Sequence, residues 1–281
     1  MASRSSRGLL VLALTTGAMS QEALATWSIV AVDPETQEVG AAAATCTVGV
    51  EIIHAVRPGK GVIVAQAATN TGARNRGAKL IGSGASPQEV IDAIASEEFN
   101  PGRPWRAPWR KQQYGVAVLG TDPAAAHFTG TDTVPWSGAR AEGNVSVQGN
   151  MLYGRGVVEA AFREFRSDEN SGACRPNLAE RLLLALEAGA AQGGDSRCAR
   201  DRGALTAFLT VSRSYDPADS PSLYLVAPRA FGWLGALRHI LFPYSPSDET
   251  PPPVRQLRDM YEHWLGTHPD WRGSCSDRGP A

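Results

Sequence analysis

Long apolar runs are scarce in this chain of 281 residues. Beyond the first 25 positions nothing approaches the roughly 20 consecutive apolar residues that a membrane-spanning helix needs. An excess of one charge is missing too. There are 27 Lys and Arg against 28 Asp and Glu, a formal net charge of −1. That balance excludes the basic footprint of a nucleic-acid binder and offers nothing to an anionic membrane surface. Histidine occurs five times and cysteine four times. No pair of cysteines has zinc-finger spacing, so neither a structural metal nor a cofactor is expected. There is no Ser/His/Asp set and no phosphate-binding glycine loop, since Gly82-Ser83-Gly84 is too short. Internal repeats are absent.

What is present begins with an export signal. Arg4 and Arg7 precede a mostly apolar run from Gly8 to Ala18, and Ala23-Leu24-Ala25 supplies the small residues of a cleavage site. The run is too short to span a bilayer, and no cysteine follows it as in a lipoprotein. Residues 1–25 are therefore expected to be a signal peptide, removed after Ala25, with a secreted or periplasmic product. Cleavage there leaves Thr26 with a free α-amino group beside its own hydroxyl.

In an exported protein four cysteines permit three disulfide pairings. Cys174 and Cys198 flank a strong helix candidate and are the expected pair. Cys46 lies in an apolar strand-like run and reads as a buried free thiol, and Cys275 lies in a polar tail.

After Thr26 the chain opens with strand signals. Trp27 to Val32 is followed by the turn Asp33-Pro34-Glu35-Thr36, then by a strand of small residues from Val39 to Val50 and a third from Val62 to Ala67. Ser86-Pro87-Gln88-Glu89 reads as a capping box opening a helix. Tyr114–Leu119 and Ala125–Thr129 form a second hairpin, and Val145–Gln148 is another strand. Val157, Val158, Ala161, Phe162 and Phe165 recur at helical spacing. Asn177 caps a helix over Leu178–Ala188 that Gly189 ends. Ala204–Ser212 and Leu223–Ala227 return to strand, and Val254–Leu265 forms a terminal helix. Hairpins outnumber strand–helix–strand units, which predicts an α+β fold of antiparallel sheet with helices outside it. The division expected is signal peptide 1–25, domain 26–227 and a variable extension 228–281.

Several patterns in order now resemble one family. They are Thr26-Trp27-Ser28-Ile29-Val30-Ala31-Val32-Asp33-Pro34-Glu35-Thr36, Val64-Ala65-Gln66-Ala67, Asn75-Arg76-Gly77, Phe128-Thr129-Gly130 and Gln148-Gly149-Asn150-Met151-Leu152. Leu178-Ala179-Glu180-Arg181-Leu182, Leu186-Glu187-Ala188-Gly189 and Gly193-Gly194-Asp195 complete the set. Together they resemble the family called domain of unknown function 1028, over about residues 26–212. The resemblance implies an N-terminal-nucleophile (Ntn) hydrolase-like fold, a four-layer αββα sandwich of two antiparallel sheets between helical layers. It implies cleavage of amide bonds and, through members fused to a peptidoglycan-binding domain, a cell-envelope setting. Three departures stand out. A signal peptide replaces the usual Met-Thr start, Cys46 stands where the family's second strand carries lysine, and a Pro/Trp/Phe-rich segment follows Val226.

Thr26 is thus the candidate nucleophile. An α-amine with a reference pKa of about 7.7–8.0 can take its hydroxyl proton. Asn150 is the first candidate for an oxyanion donor, with Gly149 allowing close backbone approach. Gln66 and Asn70 are the second candidates, as groups facing the substrate. Asp33 either holds the amine or makes its turn, and Arg76 either binds a substrate carboxylate or caps a helix. Asp195 and Arg197 are expected to pair structurally, and His54 and His127 to be structural strand residues. The substrate would be a small-molecule or peptide amide, with peptidoglycan association and homo-oligomer formation left open. The alternative is a non-catalytic envelope-binding protein on the same fold. Trp105, Trp109 and Trp136, with Arg103, Arg106 and Arg110, would then form its ligand surface.

Overall fold

The computed structural model describes residues 26–102, 107–167, 175–228 and 250–271. Six strands form one antiparallel sheet: β1 (Thr26–Asp33), β2 (Glu38–Thr45), β7 (Gly138–Glu142), β8 (Val145–Asn150), β9 (Thr206–Ser212) and β10 (Leu223–Ala227). Their spatial order is β10-β9-β2-β1-β8-β7. Four more, β3 (His54–Arg57), β4 (Gly61–Ala67), β5 (Gln112–Val118) and β6 (Ala125–Thr129), form a second antiparallel sheet in chain order.

Alternation along the strands sorts the core into three apolar layers. Trp27, Ile29 and Ala31 of β1, with Val145 and Val147 of β8, face α3 (Arg155–Arg166), α4 (Leu178–Ala191) and α5 (Pro253–Thr267). Val30 and Val32 point the other way and meet Val62 and Val64 of β4. Ile63, Ala65, Tyr114 and Val116 on the far side of the second sheet pack on α1 (Thr71–Gly82) and α2 (Pro87–Ile94). The order of layers is helix, sheet, sheet, helix, an α+β sandwich.

Local chemistry accounts for the boundaries. Asp33 Oδ1 accepts from the Glu35 N–H at 3.0 Å and sets the β1–β2 turn. Ser86 and Glu89 form the capping box of α2, and Asn177 accepts from the Glu180 N–H at the start of α4. The structure departs from expectation at several elements. β2 stops at Thr45, and a short 3-10 turn at Val50–Ile53 takes the place of the expected strand end. α1 and β7 carried too little apolar periodicity to be read from sequence. α4 runs through Gly189, whose missing side chain makes room for Trp27: a Cβ there would lie 2.7 Å from the indole nitrogen.

The disulfide expectation is corrected. Cys198 pairs with Cys46, so Cys46 is not a free thiol. Pairing of β2 with β9 places the residue after β2 beside the loop before β9, which nearness in sequence does not reveal. Cys174, its expected partner, lies outside the described residues, as do residues 1–25, where the signal peptide is expected, Trp105, Arg103, Arg106 and most of the segment after Pro228.

His54 on β3 stacks on Phe208 of β9, ring centroids 4.6 Å apart. Its Nδ1 is 2.7 Å from the Glu51 carbonyl oxygen, which can only accept, so Nδ1 carries the proton of a neutral ring. Burial, with a smaller push from Arg74, brings its pKa down to about 4. An unfolded histidine takes up its proton near pH 6.5, so between pH 6.5 and 4 the unfolded chain binds more protons and stability drops as the pH is lowered. A urea-denaturation series should show this acid limb, about 3 kcal/mol deep in total. It should be absent in His54→Gln; an unchanged limb in that variant would show that other groups produce it.

Candidate active site

At the end of the sandwich where β1 begins, the residues between the sheets change from apolar to polar. The side chains of Thr26, Ser28, Ser146, Gln148 and Asn150 on one sheet face Gln66 and Gln113 on the other, and all seven are buried. Buried polar groups must find partners, and these find one another. Ser28 Oγ donates to Gln66 Oε1 at 2.6 Å and accepts from Gln148 Nε2 at 2.6 Å. Ser146 Oγ donates to Gln148 Oε1 at 2.7 Å. Gln66 Nε2 donates to Gln113 Oε1 at 2.8 Å and to the Thr26 carbonyl at 3.2 Å. Gln113 Nε2 in turn donates to the Gly149 carbonyl and to Thr129 Oγ1, each at 2.9 Å. The frame is made of amides and hydroxyls that tie both sheets to the first residues of β1.

Gly115 makes the frame fit. A Cβ at this position would lie 2.2 Å from Gln148 Oε1. Gly115→Ala should displace Gln148 and break its bonds to Ser28 and Ser146, costing about 2–4 kcal/mol. Gly266→Ala, where nothing lies within 4 Å, should leave the melting temperature unchanged or slightly raised. Thermal melts of the two variants check this, and equal melting points would contradict the packing argument.

Thr26 and Asn150 are direct cross-strand partners, so their side chains share one face, with Cβ atoms about 4.5–5.5 Å apart. Asn150 Nδ2 donates to Gln113 Oε1 at 3.3 Å, which occupies one of its two hydrogens, and its buried Oδ1 has no hydrogen-bond partner. Thr26 is 1% exposed in the full-length chain. On its other flank Thr45 lies one rung beyond the Trp27–Ala44 pair. Arg197 donates to Thr45 Oγ1 at 3.3 Å and to Asp195 Oδ2 at 2.8 Å. Asp195 is fully buried and also accepts the Cys46 N–H at 2.6 Å. The expected Asp195–Arg197 pair is therefore present, and it stands beside the first rung of β1.

The remaining sequence candidates divide. Gln66 belongs to the buried frame, where it holds the Thr26 carbonyl. Asn70 caps α1 through the Ala73 N–H at 3.0 Å and donates to Gln112 Oε1 at 3.2 Å. Arg76 is exposed on α1. Asp33 is corrected out of the group. It ends the strand that Thr26 begins, about 23 Å away at strand rise. There its carboxylate faces Arg175 at 3.7 Å and the buried Arg181 at 3.8 Å. Trp109 tilts against Phe128 and Arg110 reaches Asp132 at 3.6 Å. Trp136 packs against the helix-side core. Sequence reading missed Gln113, Ser28 and Gln148; polar residues at every second position of buried strands were the available signal. Among the described residues no cluster of three His, Cys, Asp or Glu could hold a metal ion, and no helix is long and apolar enough to cross a membrane.

Comparison with known proteins decides the kinship. The profile of the family of unknown function DUF1028 matches residues 26–226. The chain belongs to that family. A crystal structure of a DUF1028 protein from Silicibacter pomeroyi has a similar fold. Its TM-score is 0.63 at 24% identity, over 88% of this chain and 93% of that one. No curated protein matches the chain. The DUF1028 match begins at Thr26, the first residue of β1.

Proposed function

We propose that this DUF1028 protein is an Ntn-type hydrolase that cleaves an amide bond with Thr26 as an N-terminal nucleophile. The observation that supports the reading best is the Thr26–Asn150 rung, set in a fully buried frame of neutral amides and hydroxyls. A closed apolar core around Thr26 would have argued against it. In this reading, removal of residues 1–25 frees the α-amine. The amine takes the Thr26 hydroxyl proton as Oγ1 attacks the substrate carbonyl. The free hydrogen of Asn150 Nδ2 meets the developing oxyanion. The tetrahedral intermediate collapses as the protonated α-amine gives its proton to the leaving amine, and water hydrolyses the ester left on Thr26.

Gln66 acts as a positioning residue through the Thr26 carbonyl. The Arg197–Asp195 ion pair stands beside Thr45, on the flank where the family pattern has lysine. The substrate is a small-molecule or peptide amide, and an exported protein would meet it in the cell envelope.

The test compares two purified forms on a library of chromogenic amides and anilides. One begins at Thr26 and the other keeps a single alanine before it. The first should turn over substrate and the second should not, although both fold. Equal activity of the two forms would refute a role for the free amine.

A further inference from the structure

A cleft lies away from Thr26, where the free edge of the four-stranded sheet meets the β9–β10 edge of the other. It has a volume of about 370 Å³, within the range of sites for small ligands. None of the polar residues of the Thr26 frame lines it.

Three observations give this cleft its character. Arg57 and Arg74 both line it, and among the described residues neither makes an ion pair. Arg57 spends its Nε on the Ala78 carbonyl at 3.1 Å, which leaves its terminal nitrogens largely unspent. Arg74 is bound to the Ile52 carbonyl and to Asn75 Oδ1, so its guanidinium is held in place by neutral acceptors only. Burial also pushes the Arg74 pKa below its usual value, which marks a charge lacking compensation. Next, Thr210 is fully buried and lines the cleft, yet its hydroxyl has no hydrogen-bond partner. An orphaned buried hydroxyl is costly unless something satisfies it. Lastly, the ring of Tyr224, half exposed, and Pro221 supply an apolar wall.

We propose that this cleft binds a small organic monocarboxylate, its carboxylate on Arg57 and Arg74 and its apolar body against Tyr224 and Pro221. Arginine forks match carboxylate geometry. Asp219, the one acid among the lining residues, offsets one of the two guanidinium charges, so a monoanion fits better than a phosphate dianion. The Thr210 hydroxyl would donate to the second carboxylate oxygen. The site is independent of the Thr26 reading and stands or falls separately.

Benzoate and 3-phenylpropanoate would be titrated into the full-length protein, with binding followed by ligand-observed NMR. Benzamide and inorganic phosphate serve as the neutral and dianionic comparisons. The expected result is a Kd of about 1 mM or tighter for at least one carboxylate, and none measurable for benzamide. Arg57→Gln and Arg74→Gln should each weaken binding about tenfold. Arg74 also tethers the Ile52 loop, so the decisive variant is Thr210→Val. It should keep or raise the melting temperature and still weaken the carboxylate about threefold. Benzamide binding as well as benzoate, tighter binding of phosphate, unaltered affinity in folded Arg57→Gln and Thr210→Val, or no binding by either carboxylate would each overturn the proposal.

Discussion

Thr26→Ala should reduce amide hydrolysis by about a thousandfold or more while the protein stays folded. The two halves of the result follow from different parts of the residue. Under the proposed mechanism its hydroxyl is the bond-forming group, and no neighbouring nucleophile can replace it in a frame of carboxamides and β-strand hydroxyls. The rest of Thr26 holds its place through the backbone: its carbonyl accepts from Gln66 and its strand pairing runs to Asn150. Alanine keeps all of that. Thr26→Ser, which retains the hydroxyl and the amine, should keep activity within about tenfold. Measured kcat/KM for the three forms, begun at residue 26, checks this. Activity of the alanine form within tenfold of wild type would mean that the hydroxyl is not the nucleophile.

The second large effect belongs to the cystine. Cys46 and Cys198 are separated by 152 positions. The chain-entropy relation gives about 5 kcal/mol for closing so long a loop, and measured bridges usually deliver about 2–5 kcal/mol. Cys46→Ala with Cys198→Ala should therefore lower the melting temperature by roughly 4–20 °C at about 2–4 °C per kcal/mol. The bridge also anchors one side of the candidate site. The Cys46 N–H binds Asp195, and Asp195 holds Arg197 against Thr45. Activity in the double variant should fall even at temperatures where it remains folded. A melting point within 2–3 °C of wild type would show that the bridge closes a loop already restrained by packing.

The architecture was largely legible in the sequence, because alternation in β1, β5 and β8 and the caps at Ser86 and Asn177 are local signals. α1 was hidden for a physical reason. Its buried face is Ala73, Gly77, Ala78 and Ile81, too small to stand out as a stripe. Gly77 is there because Ile63 fills its space, a Cβ lying 2.3 Å from the isoleucine Cδ1. The candidate site was legible in part. Thr26, Asn150 and Gln66 carry signals in their own neighbourhoods and meet in the structure. Asp33 shares a strand with Thr26, and strand rise separates them; adjacency in sequence concealed that distance. The Gln113 and Gln148 contributions depend on which strands become neighbours across the sandwich. The Cys46–Cys198 bridge depends on β2 meeting β9, a pairing between distant parts of the chain.

That pairing makes the covalent path through the molecule much shorter than the chain itself. Thr45, the last rung of β2, precedes Cys46 by one residue, and Thr206, its partner on β9, follows Cys198 by eight. Through the sulfur bridge the two strands are joined like the arms of a hairpin with a short loop. Everything from residue 46 to 198 becomes a ring hung from the hairpin's base, carrying the whole second sheet and four of the helices. Joining β10-β9 to β2-β1 is a long-range contact in a linear chain and a local one in the bridged chain. Loop-closure entropy for that step is correspondingly small once the sulfurs are linked.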